Sequence, residues 1–161
     1  IVFFTNAFNF TDGLDGLASG LLAIYLFAFI VIAAGNLDTP LSIFMALWIG
    51  AIMAFLYFNV WPARIFLGDG GAFGFGATLA VVGLLTGKIL ALAIIGGMFV
   101  VIVASSLIQI ISKKFFGRKV FLIAPIHHHF EALGWPSYKV TMRFWVLSGV
   151  LAILGMVIAL I

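Results

Sequence analysis

Five long apolar stretches are set apart by short polar ones along this chain. They cover residues 17–34, 41–58, 72–86, 89–111 and 140–161. A helix crosses the hydrocarbon core of a bilayer with about 17–25 apolar residues. The runs have that length, except the glycine-rich third, which reaches it if its helix begins near Gly68. None alternates apolar and polar residues with period two, which excludes a β-barrel. The pattern predicts an all-α integral membrane protein with about five transmembrane helices, in a single transmembrane domain over residues 1–161. The opening IVFFTNAF reads as the last turns of another helix already under way, so an N-terminal truncation is expected.

Composition agrees with the pattern. The chain is 65% hydrophobic and 8% charged, against about 25% charged in a soluble domain. Such a chain cannot cover a water-facing surface, and its partner is the lipid bilayer; no nucleic-acid partner is expected. Cysteine is absent, which excludes a disulfide framework and thiolate chemistry.

Charge gives the orientation. If the spans alternate, the opening polar segment (near 5–16), residues 59–70 and residues 112–140 form loops on one side. That side carries Arg64, Lys113, Lys114, Arg118, Lys119, Lys139 and Arg143, whereas the turns at 35–40 and 87–88 carry only Lys88. Basic residues collect on the cytoplasmic side of membrane proteins, so the polar loops are expected to be cytoplasmic. Asp12, Asp15, Asp69, Glu131 and all three histidines fall on the same side, and only Asp38 is opposite.

Three polar constellations occupy that face. The first is NAFNFTDGLDGLA, in which Asn6, Asn9, Asp12 and Asp15 recur every three residues, on roughly one face of a helical or near-helical segment. A cap by Thr11 or Asp12 on a helix beginning near Leu14 accounts for one acid but not for two acids and two amides. The second is NVWPARIFLGDGGAFGFG. Asp69 lies there at a membrane boundary, where an ionisable group is costly and usually functional. The glycines around it admit a phosphate or a metal, or serve a small-residue packing face at Gly68, Ala72 and Gly76; an N-cap is the plain structural reading of Asp69. The third is APIHHHFEALGWP. Adjacent helical residues point about 100° apart, so His127, His128 and His129 cannot all face one zinc ion. They suit several donors around an anion. The acids suit Mg²⁺, a hard cation held by few carboxylates plus substrate phosphates. Together these groups argue for phosphate chemistry at the cytoplasmic membrane surface.

NAFNFTDGLDGLA, FNVWPARIFLGDGG and APIHHHFEALGWPSYKVTMRFW, in that order, resemble three segments of the polyprenyl-phosphate N-acetylhexosamine-1-phosphate transferase superfamily. PIHHHFE followed by GW is similar to its phospho-N-acetylmuramoyl-pentapeptide transferase branch. The resemblance covers the C-terminal half of a ten-helix family fold. It implies transfer of phospho-MurNAc-pentapeptide from UDP-MurNAc-pentapeptide to undecaprenyl phosphate, giving lipid I and UMP in peptidoglycan synthesis. It further implies Mg²⁺, a homodimer and the bacterial cytoplasmic membrane. Asp69 matches the metal-binding catalytic aspartate. Asp12 and Asp15 match nucleotide-side aspartates, with Asn9 in the same loop. Asn59, Phe66 and Gly68 match positions around the uridine, and His127, His128 and His129 the histidine loop near the diphosphate. The family also carries an Asp-Asp pair that is absent from this chain, so the chain alone is expected to be inactive. A UDP-GlcNAc-using sister transferase is the nearest alternative. A transporter or channel is the alternative of another class, and it predicts polar residues deep in several spans.

Overall fold

The computed structural model describes residues 1–161 as eight helices and no strands. They are α1 (Val2–Thr11), α2 (Leu17–Gly35), α3 (Thr39–Asn59), α4 (Gly68–Leu85), α5 (Ile89–Ile95), α6 (Gly97–Phe116), α7 (Ile126–Ala132) and α8 (Ser137–Leu160). Five of these, α2, α3, α4, α6 and α8, are long and apolar enough to cross a membrane. The all-α membrane architecture read from the hydropathy pattern is the one observed.

Local chemistry sets the turns. Leu37 takes a positive φ of 58° after α2 ends, and Asp38 then caps α3 by accepting a hydrogen bond from the Leu41 N–H at 3.1 Å. An acceptor there satisfies a donor that the first helical turn leaves free. Gly87, at φ 68°, makes the turn between α4 and α5. These two turns lie at one end of the bundle, where Asp38 and Pro40 share a shallow cavity with Val81 and Leu85.

The fourth apolar run is not one helix ending near residue 111. It breaks at Gly96 and continues as α6 to Phe116. The Gly96-Gly97 pair has low helix propensity, and packing uses the missing side chains. A Cβ on Gly96 would lie 2.8 Å from the Leu92 carbonyl oxygen and 2.9 Å from the Phe4 ring. On α8, Gly155 is covered by Ile95 in the same way.

α2 is the central helix and buries twelve of its nineteen residues. Its Tyr25 hydroxyl donates to the Leu79 carbonyl of α4 at 2.7 Å. α1 lies against α4 and α6. Phe8 stacks on Phe99 with centroids 5.6 Å apart, and a Cβ on Gly76 would sit 2.8 Å from the Thr5 Cα. The small-residue face of α4 therefore consists of Ala72, which is buried, and Gly76; Gly68 has open space around it and takes no part. The outer faces stay apolar, with Leu47 and Met53 on α3, Val101 and Leu107 on α6, and Val146 and Ile153 on α8 all exposed. In water such a surface would aggregate; in a bilayer it is the solvated face.

Candidate active site

At the other end of the bundle, residues 12–16, residues 60–67 and α7 come together. α1 stops at Thr11, whose hydroxyl turns back to donate to the Ala7 carbonyl at 2.7 Å. Neither Thr11 nor Asp12 caps the next helix. That helix begins at Leu17, after Gly16 at φ 72°, with no side-chain cap. A left-handed residue at this junction needs glycine, and the Asp12 carboxylate is left to face a cavity instead.

The cavity measures about 360 Å³ and is lined by Asn9, Asp12, Gly13, Leu14, Asp15, Asn59, Phe66, Gly68 and Asp69. Every residue expected to bind nucleotide or metal is among them, although they come from segments about fifty positions apart in sequence. Asn6 is not. Its amide donates to the Val2 carbonyl at 2.8 Å on the exposed side of α1, so the three-residue stripe enters the cavity only from Asn9 onward.

The lining residues fall into two kinds. Asn59 is buried, and its amide is engaged at both ends. Its Oδ1 accepts from the Gly16 N–H at 3.2 Å and the Ser19 hydroxyl at 2.8 Å, and its Nδ2 donates to the Ile65 carbonyl at 2.9 Å. Asn59 thus clamps the two loops together. Asp15 uses Oδ2 to accept from the Ala63 N–H at 3.0 Å, again joining the loops. Asp69, in contrast, is exposed in the first turn of α4, where the helix dipole favours an anion. It is not an N-cap, since Leu67 holds that position. The Asn9 amide lies 3.5 Å from its Oδ1. Phe66 is 74% exposed, so an apolar ring face is open to a planar ligand. Burial raises the carboxyl pKa of Asp12 above its ordinary value.

The three histidines separate. His127 and His128 reach the Asp12–Asp15 loop, and a Cβ on Gly13 would lie 2.6 Å from the Nε2 of His127 and 3.1 Å from that of His128. Gly13 is the close approach that lets α7 dock. His127 is fully buried with neither ring nitrogen hydrogen-bonded. Burial chiefly, then the neighbouring His128, lowers its pKa to about 4 against an opposing pull from Glu131, so the ring is neutral. His128 Nδ1 lies 2.7 Å from Glu131 Oε2, and Ser137 donates to the other carboxylate oxygen. Burial alone would raise the Glu131 pKa, but the hydrogen bonds from Ser137 and His128 and the histidine charges outweigh it and hold it low. His129 points elsewhere. Its Nδ1 accepts from the Leu122 N–H at 3.2 Å and braces the loop before α7.

Three residues that hold the site went unnoticed in the sequence. Ser19 reaches Asn59, the Thr141 hydroxyl donates to the Asp15 carbonyl at 3.2 Å, and the Trp145 indole donates to the Gly16 carbonyl at 3.2 Å. The available signal was polar atoms near the starts of two apolar spans, where membrane helices need a reason to carry them.

The donors suit a hard cation. Three carboxylates line the cavity without a thiolate or imidazole among the lining groups. No three acidic or imidazole groups converge into an all-protein cage. That sparse oxygen set is what Mg²⁺ accepts when phosphates complete its shell.

Fold and site define a multi-pass membrane protein with an acid-lined polar cavity at one end of its helical bundle. The profile of glycosyl transferase family 4 matches residues 1–87, more than half of the chain. The chain belongs to glycosyl transferase family 4. It is 44% identical over 154 residues, 96% of its length, to phospho-N-acetylmuramoyl-pentapeptide-transferases of Bacillus cytotoxicus, Bacillus thuringiensis and Bacillus cereus. The alignment covers 48% of each relative, so the chain spans about half the length of the curated relatives it matches.

Proposed function

We propose that this chain carries the nucleotide-sugar end of a Mg²⁺-dependent phosphoglycosyl transferase. The enzyme moves phospho-MurNAc-pentapeptide from UDP to undecaprenyl phosphate on the cytoplasmic face of the bacterial membrane. The observation that carries this reading is the gathering of Asn9, Asp12, Asp15, Asn59, Phe66, Gly68 and Asp69 around one cavity. The names of the relatives favour the muramoyl-pentapeptide donor over UDP-GlcNAc. The transporter reading loses ground because the polar groups gather at one end instead of lining the spans.

In the reaction an oxygen of the lipid phosphate bonds to the sugar-linked phosphorus of the UDP-sugar. The bond from that phosphorus to the bridging oxygen breaks, and UMP leaves with the oxygen. Two anions must meet, so the barrier falls when their charge is offset and their geometry fixed. Asp69 would hold Mg²⁺, with Asp12 across the same cavity, and the ion would neutralise diphosphate charge. Phe66 offers its face to uracil, and Asp15 and Asn59 keep the loops at the spacing a nucleotide needs. Glu131 fixes the His128 ring by accepting from Nδ1–H, which directs Nε2 toward the Gly13 loop, where it can exchange a proton or hydrogen-bond an anion. Neutral His127 beside it adds no charge of its own.

The family's Asp-Asp pair is absent from this chain, so sustained turnover requires a second segment that supplies it. The test is UMP release with both substrates and Mg²⁺. The purified chain should give none. A chimera joining the N-terminal half of the Bacillus cytotoxicus relative to this chain should give it, and should lose it with Asp69→Asn. A membrane-inserted chimera without UMP release contradicts the proposal, as does turnover by the chain alone.

A further inference from the structure

A second cavity lies where α7 meets the first turns of α8. It measures about 450 Å³ and shares no lining residue with the acid-lined site. Phe130, Trp135, Met142, Val146 and Leu147 give it apolar walls, and Arg143 is its only charged lining residue. Met142, Val146 and Leu147 are all exposed on the outer face of α8. One helical turn further on, Val150 is exposed too, so the groove runs on along the exposed apolar face of α8.

The rim of this groove is cationic. The Lys139 ammonium sits 4.6 Å from the Trp135 ring centroid, and the Arg143 guanidinium carbon 5.3 Å from it. Two cations therefore share one indole, which Phe130 backs with its own ring at 5.0 Å. Neither cation has a carboxylate. The single ion pair of the chain is His128 with Glu131, and the second oxygen of that carboxylate is taken by Ser137. Like charges gathered at an apolar groove repel one another unless an anion sits between them. An anion with an apolar tail satisfies both halves of the arrangement at once.

We propose that this groove binds one anionic glycerophospholipid, its phosphate on Lys139 and Arg143 and one acyl chain along Phe130, Met142, Val146 and Leu147. The position fits, because both cations fall within the first two turns of a span, at its basic end. There a long basic side chain reaches headgroup level while its stem stays in hydrocarbon. The inference stands apart from the transferase reading and needs neither nucleotide nor metal. Its consequence is that a lipid would pin the segment between α7 and α8, and α7 carries His127 and His128.

The test uses the full chain in bilayers of equal phosphatidylglycerol and phosphatidylcholine, extracted in mild detergent and weighed by native mass spectrometry. The chain should retain one phosphatidylglycerol, about thirty-fold in preference to phosphatidylcholine, as two cations near the surface predict. Lys139→Gln with Arg143→Gln should abolish the preference. Val146→Trp, at an exposed position that leaves packing intact, should remove the retained lipid by filling the groove. Equal retention of the two lipids overturns the proposal. So does an unchanged preference in the double variant, or unchanged retention in Val146→Trp should the double variant fail to fold. Displacement of phosphatidylglycerol by an equal concentration of a polyprenyl phosphate would also overturn it, assigning the groove to another lipid.

Discussion

The carboxylate of Asp15 accepts a hydrogen bond from the backbone N–H of Ala63 at 3.0 Å, joining two loops that lie 48 positions apart in the chain. Asp15→Asn retains an acceptor oxygen, and Asp15→Ala removes it. The alanine variant should lose roughly 1–3 kcal/mol, the cost of leaving a partly buried donor without its charged partner. The asparagine variant should lose less. Thermal unfolding of both in one detergent tests this, and equal losses would mean that the bond does not hold the loops.

Asn59 makes the same point from the other strand of the clamp. Its side chain takes part in three hydrogen bonds, to Gly16, Ser19 and Ile65. Asn59→Ala should cost about 1–3 kcal/mol and speed proteolysis of residues 60–67. Ser19→Ala removes one of the three and should cost a fraction of that. A protease pattern unchanged in Asn59→Ala would contradict the clamp.

Gly20 lies directly under the Trp145 indole, with no room for a Cβ. Gly20→Ala must push the ring aside and break its hydrogen bond to the Gly16 carbonyl. The expected loss is about 1–3 kcal/mol, as for other overpacked sites. Trp145→Phe removes the hydrogen bond without the clash. It should be the milder change, and unfolding midpoints of the two variants test that order.

His127 is buried, and its pKa falls from 6.5 to about 4. A base held neutral in the folded chain binds fewer protons than in the unfolded chain between those values. Stability is therefore fully present above about pH 6.5 and is lost as pH falls toward 4, by up to roughly 3 kcal/mol. Nitrogen NMR of histidine-labelled chain should show one ring neutral down to near pH 4.5, and that signal should vanish in His127→Gln. A ring at this position titrating near 6.5 would contradict the burial argument.

Much of this was legible in the sequence, for reasons specific to particular residues. Apolar runs of membrane length leave the backbone only one way to satisfy itself, so the spans could be read directly. The break at Gly96 could not, because two uncharged glycines do not end an apolar run of membrane length. Besides the Leu92 carbonyl, it is Phe4 and Leu151, distant in sequence, that require those positions to be bare. α7 has seven residues in a polar stretch, too few for a periodic signal. Asn9, Asp12 and Asp15 were recognisable by type and spacing, Asp69 by its place at a membrane boundary and Asn59 by the family resemblance, but their division of labour was not. Asn59 reads as a ligand until its buried amide is seen to hold Gly16, Ser19 and Ile65, and the separation of His129 from its neighbours depends on Leu122.

In the proposed reaction the acid-lined cavity binds a uridine-diphosphate sugar through Asp69 and a divalent cation. The most direct measurement of that binding is titration of UDP-MurNAc-pentapeptide into the chain in nanodiscs, with Mg²⁺ and with chelator. Binding should be saturable with Mg²⁺ and weakened at least about ten-fold, or 1.4 kcal/mol, by chelator and by Asp69→Asn. Equal affinity with and without Mg²⁺, or in Asp69→Asn, would contradict it.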